Sequence, residues 1–130
     1  MKKIGLLLIA VIITASLFSF ALEQGPWVVA DKDKAVKNPV KSSADNLEEG
    51  KALYTKHCKA CHGSKGLGDG PKGKSVKGDL GDFSSATFQK QTDGELFYKI
   101  KTGRADMPDF KKITDDEIWA VVLHMRTLKS

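Results

Sequence analysis

Cysteine is scarce in this 130-residue sequence: there are two, and both fall between positions 58 and 61. A domain this small usually needs a staple, whether disulfide, metal or cofactor, and only these two thiols are present to supply one. No cysteine precedes Cys58, which argues against a lipid-modified N-terminus. Internal repeats and low-complexity tracts are absent, and no strand-like run precedes Cys58, so a thioredoxin-like site lacks its expected framework. Charge of one sign is also modest. The 21 basic and 16 acidic residues are interspersed and not interleaved with aromatics, a poor pattern for nucleic-acid binding.

One long apolar run is present, at the start. Met1-Lys2-Lys3 forms a basic n-region, Ile4 to Phe20 is apolar apart from Gly5, Thr14, Ser16 and Ser19, and Ser19-Phe20-Ala21 supplies small residues for cleavage. Residues 1–21 are read as a signal peptide cut after Ala21. The alternative is an uncleaved anchor, which would be the chain's one link to a membrane. Either way the remainder is exported, to the periplasm or to the outer face of the cytoplasmic membrane. Without Lys2 and Lys3 the formal charge falls to +3.

Residues 22–43 read as an extended strap or linker, with Pro26, Pro39 and several lysines but no helical period. Trp27-Val28-Val29 could pack onto the domain. Residues 44–130 carry three helix-start signals, each a capping side chain three residues before a glutamate: Asp45 to Glu48, Thr92 to Glu95 and Thr114 to Glu117. Leu47, Gly50, Leu53, Tyr54 and His57 then share a face, as do Leu96, Phe97 and Ile100 before a stop at Gly103. Ile118, Val121, Val122, Met125 and Leu128 make a third stripe. About thirty residues between the first two helices show no period, which makes sense only if they wrap something apolar that is not polypeptide.

Cys58-Lys59-Ala60-Cys61-His62 identifies that filler. C-x-x-C-H is the pattern of a c-type haem attachment. Two residues between the thiols space the sulfurs for the two vinyl groups on one porphyrin edge. The adjacent histidine then lies under the ring, where its Nε2 can bind iron. Zinc would need two further ligands, and besides His62 only His57 and His124 remain.

Over residues 44–129 the chain resembles a class I monohaem cytochrome c. The helix, C-x-x-C-H, Gly-rich loop, short helix, Met-Pro loop and final helix occur in the family's order. The resemblance implies an all-α fold with three main helices and long loops around one covalent haem c with its iron. Cys58 and Cys61 would carry the haem, with His62 and Met107 as axial ligands. It further implies a Pro71 carbonyl accepting from His62 Nδ1, and His124 packed against Gly50 where the family has an aromatic ring. Arg104 stays open between a haem propionate and solvent, and Leu67, Leu80, Phe83, Phe88 and Phe97 would line the pocket.

The expected function is one-electron transfer between redox partner proteins, with no enzymatic step, since nothing catalytic flanks Met107. Lys59, Lys65, Lys72, Lys111 and Lys112 could greet an acidic docking surface. Two rivals remain: a haem c subunit or tethered domain of a larger oxidase or dehydrogenase, and a ligand-binding haem protein with an open distal site.

Overall fold

The computed structural model describes residues 25–130; the expected leader, residues 1–21, lies outside the described residues. Those described form helices and turns with no strand, and none of their helices is long and apolar enough to cross a membrane. In chain order the helices are α1 (Asp31–Lys34), α2 (Ala44–His57), α3 (Lys59–His62), a 3-10 turn (Gly73–Ser75), α4 (Ala86–Gln89), α5 (Asp93–Thr102) and α6 (Asp115–Arg126).

The start of α2 differs from the expectation. Ser43, in extended backbone, caps the helix by accepting from Asn46 N–H at 3.2 Å, so Asp45 lies inside the first turn. Asn46 meanwhile donates to the Lys41 carbonyl at 2.8 Å, which holds the preceding chain in the geometry a cap needs. Thr92 and Thr114 do cap α5 and α6. Only Thr114 completes a reciprocal box with its glutamate, because Glu95 turns to Lys99 at 2.7 Å instead.

α6 is the central element. Ile118 to Val122 are all buried, so the helix is covered nearly all round. Its main partner is α2, and Gly50 is the reason the two approach so closely. A methyl group there would run into the Ala120 backbone carbonyl. Tyr54, Phe83, Leu96, Ile100, Ile118, Trp119 and Met125 complete one core with Val121 and Val122. Met125 therefore packs, as its stripe predicts. At the far end of α6, Arg126 donates to Asp93 Oδ1 through Nε (2.8 Å) and Nη2 (2.7 Å), and to the carbonyls of Gln89 (3.1 Å) and Gln91 (2.6 Å).

The strap lies against α5. Val29 is buried, Thr92 Oγ1 donates to the Lys34 carbonyl at 2.7 Å, and Asn38 Nδ2 donates to the Trp119 carbonyl at 3.1 Å. Gly94 is buried where the carbonyls of Asp33 and Val36 press onto α5, and no side chain would fit there.

Candidate functional site

The C-x-x-C-H motif sits where α2 hands over to α3. Cys58 N–H still donates to Tyr54 O (2.8 Å), while Cys58 O accepts from the N–H groups of Cys61 (3.1 Å) and His62 (2.9 Å). The motif is thus one helical turn, and spacings of three and four put Cys58, Cys61 and His62 on neighbouring positions. Both cysteines are free thiols, half-buried. Burial first, and Cys61 second, push the Cys58 thiol up to about 12.

His62 Nδ1 lies 3.1 Å from the Leu80 carbonyl. A carbonyl can only accept, so Nδ1 carries the proton and Nε2 keeps its lone pair. Burial lowers the imidazole's pKa, partly offset by the Leu80 contact, and this favours the neutral ring a metal requires. The expected Pro71 acceptor is therefore corrected to Leu80. The physical reason is how the loop closes. Gly70 N–H and Lys72 N–H donate to the Cys61 (3.1 Å) and Ala60 (2.8 Å) carbonyls, so the chain around Pro71 serves as donor to the motif. The loop is pinned further by Gly68 N–H on His62 O (2.9 Å), Phe83 N–H on Gly66 O (2.8 Å) and Tyr54 Oη–H on Gly63 O (2.8 Å). Burial, helped by Cys58 and Asp69, raises the Tyr54 phenol well above its ordinary range, so it stays a donor.

Met107 closes a two-residue turn. Arg104 N–H donates to Met107 O (2.9 Å) and Met107 N–H to Arg104 O (3.0 Å). Ala105 takes φ 52°, a left-handed backbone that costs a residue with a Cβ about 1–2 kcal/mol. Asp106 Oδ2 accepts from Lys77 N–H (2.7 Å), tying the turn to the long loop. Arg104 is neither free in solvent nor turned to the motif: its guanidinium lies 5.6 Å from the Trp27 ring and donates to the Gly25 carbonyl.

Three of the four expected site residues, Cys58, His62 and Met107, meet one core, and Cys61 lies one helical turn from Cys58. Cys58 and Met107 both pack against the cluster, and the His62 ring lies 4.6 Å from that of Phe83, one of its members. Phe83 also stacks on Phe88 at 4.3 Å. Leu67 is 46 % exposed, and Phe97 stacks on Trp119. His124 packs on Tyr54 at 5.1 Å, beside Gly50, as expected. Two open surface grooves, one between α2 and α6 and one beside the C-terminus, are lined by none of the four.

A haem c fits these residues. Two unpaired thiols stand one helical turn apart, and a neutral imidazole offers Nε2. His57 Nε2, beside Cys58 and edge-on to Phe110 at 5.9 Å, is buried without a hydrogen-bond partner. A buried polar atom left so is a sign of a missing neighbour.

The model of the family described as "Cytochrome C oxidase, cbb3-type, subunit III" matches residues 45–125. The chain belongs to this family. It is a c-type cytochrome with the all-α cytochrome c fold, carrying covalently bound haem c and its iron, and its work is haem-based electron transfer. The cytochrome is also similar to a chain of the Kuenenia stuttgartiensis reducing HAO-like protein complex Kustc0457/Kustc0458, with 26 % identity and a TM-score of 0.63. That match covers 83 % of this chain, reaching beyond residues 45–125 into the flanking segments, but only 53 % of the other. A second similar structure, the KustC0563 c-type cytochrome, shares 32 % identity with a TM-score of 0.54. There the match covers 62 % of this chain and 98 % of the relative. No curated protein matches the chain.

Proposed function

We propose that this cytochrome is a class I monohaem electron carrier of the periplasm, or of the outer face of the cytoplasmic membrane if residues 1–21 are retained. Its one haem is held by Cys58 and Cys61 with His62 and Met107 as axial ligands, and it catalyses no reaction of its own. The observation that carries the reading is the single helical turn at the end of α2. It holds the chain's only two cysteines and a neutral, correctly protonated His62 against the core on which Met107 also packs.

When bound, the haem iron takes up and gives back one electron. The protein's own residues do the rest. Leu80 fixes the His62 tautomer and makes its Nε2 more basic. The Arg104–Met107 turn presents a thioether, a soft ligand that favours the reduced metal and raises the potential. Tyr54 and the loop bonds hold the motif so that little must rearrange when charge arrives.

The test uses protein expressed with haem-maturation machinery. Acid–acetone should leave the pigment on the polypeptide, with the mass raised by one haem. Cys58→Ala or Cys61→Ala should leave one thioether or no holoprotein, and Met107→Ala should abolish the weak red-end band of sulfur-ligated ferric haem. Complete extraction from mature protein refutes the attachment. A high-spin ferric wild type refutes Met107 ligation.

A second reading has specific support: the family description names an oxidase subunit, and one relative belongs to a complex in which the match spans only 53 % of its chain. On that reading the cytochrome is one subunit or domain of a larger assembly. Co-purification of a stoichiometric partner would favour it.

A further inference from the structure

We infer that the strap positions the Met107 turn, with Trp27 and Arg104 forming the latch between them. The inference rests on the His/Met reading above and assigns it two further residues.

The turn is short of internal support. Its one strained residue, Ala105 at φ 52°, biases it towards relaxation, and besides its own backbone pairing and the packing of Met107 on the core, two polar ties among the described residues hold it. One is Lys77 N–H on Asp106. The other is Arg104, whose side chain lies 5.6 Å from the Trp27 ring and bonds the Gly25 carbonyl. Arg104 is the residue whose N–H and C=O pair with those of Met107, at 2.9 and 3.0 Å. A displacement of Arg104 therefore passes straight to Met107.

The strap is itself anchored well enough to serve as a fixed point. Val29 is 2 % exposed, and the Thr92–Lys34 and Asn38–Trp119 bonds fasten the following residues to α5 and α6. Lys99, held by Glu95 at 2.7 Å, lies 5.8 Å from the same Trp27 ring and ties the indole to α5. Trp27 thus joins the helix to the turn through two cations. Were it merely an apolar cover, its removal would lower stability alone.

The experiment measures cyanide binding to the full-length ferric holoprotein, which requires the sixth position to open first, together with the red-end band. Trp27→Ala and Arg104→Gln should each speed cyanide binding by about five- to tenfold. Trp27→Phe, which keeps a π face, should stay near the wild-type rate. Ala52→Gly, on the exposed side of α2 and outside both strap and turn, should lower the melting temperature without changing the rate. If Trp27→Ala and Arg104→Gln match the wild type while Met107→Ala removes the band, the latch is wrong and Met ligation stands. If Ala52→Gly accelerates binding equally, the effect is general loosening and the latch is again wrong. A band that survives Met107→Ala overturns both readings.

Discussion

Gly50→Ala sets two effects of opposite sign against each other. Glycine inside a helix costs about 0.8–1.0 kcal/mol relative to alanine, so propensity alone makes the substitution stabilising. At Gly50 the new methyl would strike the Ala120 carbonyl and come within 3.3 Å of His124 Cβ. The first obstacle is backbone and cannot rotate away. α2 must lift from α6, loosening Tyr54, which is 1 % exposed, against Val121 and Val122. Overpacking of this kind costs about 1–3 kcal/mol, and a backbone clash belongs at or above the upper end. The net expectation is a loss of about 2 kcal/mol, or roughly 8–16 °C in melting temperature for a domain near 100 residues. Thermal unfolding of the ferric holoprotein, followed by far-UV circular dichroism, measures it. Ala52→Gly, on the exposed side of the same helix, should cost about 1 kcal/mol through propensity alone. A Gly50→Ala protein that melts higher than wild type would refute the close α2–α6 crossing.

Met125→Ala should cost about 2–5 kcal/mol as a buried truncation and leave the haem spectrum unchanged; a changed spectrum would mean that Met125 reaches the iron. Tyr54→Phe leaves the buried Gly63 carbonyl without its donor and should cost about 1–3 kcal/mol, read by denaturant unfolding. The Thr114 N–H and hydroxyl hold the Glu117 carboxyl below its ordinary range. A depressed acid contributes stability above its unfolded pKa, about 4.3, and loses it as pH falls through the folded value. The stability gap between wild type and Glu117→Gln should therefore be full at neutral pH and close in acid; a gap independent of pH would refute the box's role. Lastly, the apoprotein should be largely unfolded, and a cooperative apoprotein melt near that of the holoprotein would contradict that.

What was legible in the sequence was local. Thr92 and Thr114 each stand three residues before a glutamate and open a periodic stripe, and α5 and α6 began where expected. Before α2, Ser42, Ser43, Asp45 and Asn46 all qualify as caps, and the decision fell to Asn46 bonding back to Lys41, which no period reveals. The His62 acceptor failed for a related reason. Pro71 and Leu80 both lie in a loop without periodicity, and only closure of that loop onto the carbonyls of Ala60, Cys61 and His62 selects between them. The Trp27–Arg104 contact joins residues far apart in sequence, and cation–π pairs leave no spacing signature.

The closure of that loop also sets an order of events in biogenesis. Once the Gly68, Gly70 and Lys72 amides are seated on the carbonyls of His62, Cys61 and Ala60, the motif is fastened from the loop side while Cys58 packs against the core. Thioether formation at the proposed sites therefore belongs to an open chain, before the loop shuts. Whatever joins haem to this polypeptide should meet an unfolded motif and release one that can close behind it. Premature collapse of the loop would be the step at which maturation fails, and destabilising loop substitutions should leave haem loading intact while shortening the life of the finished protein.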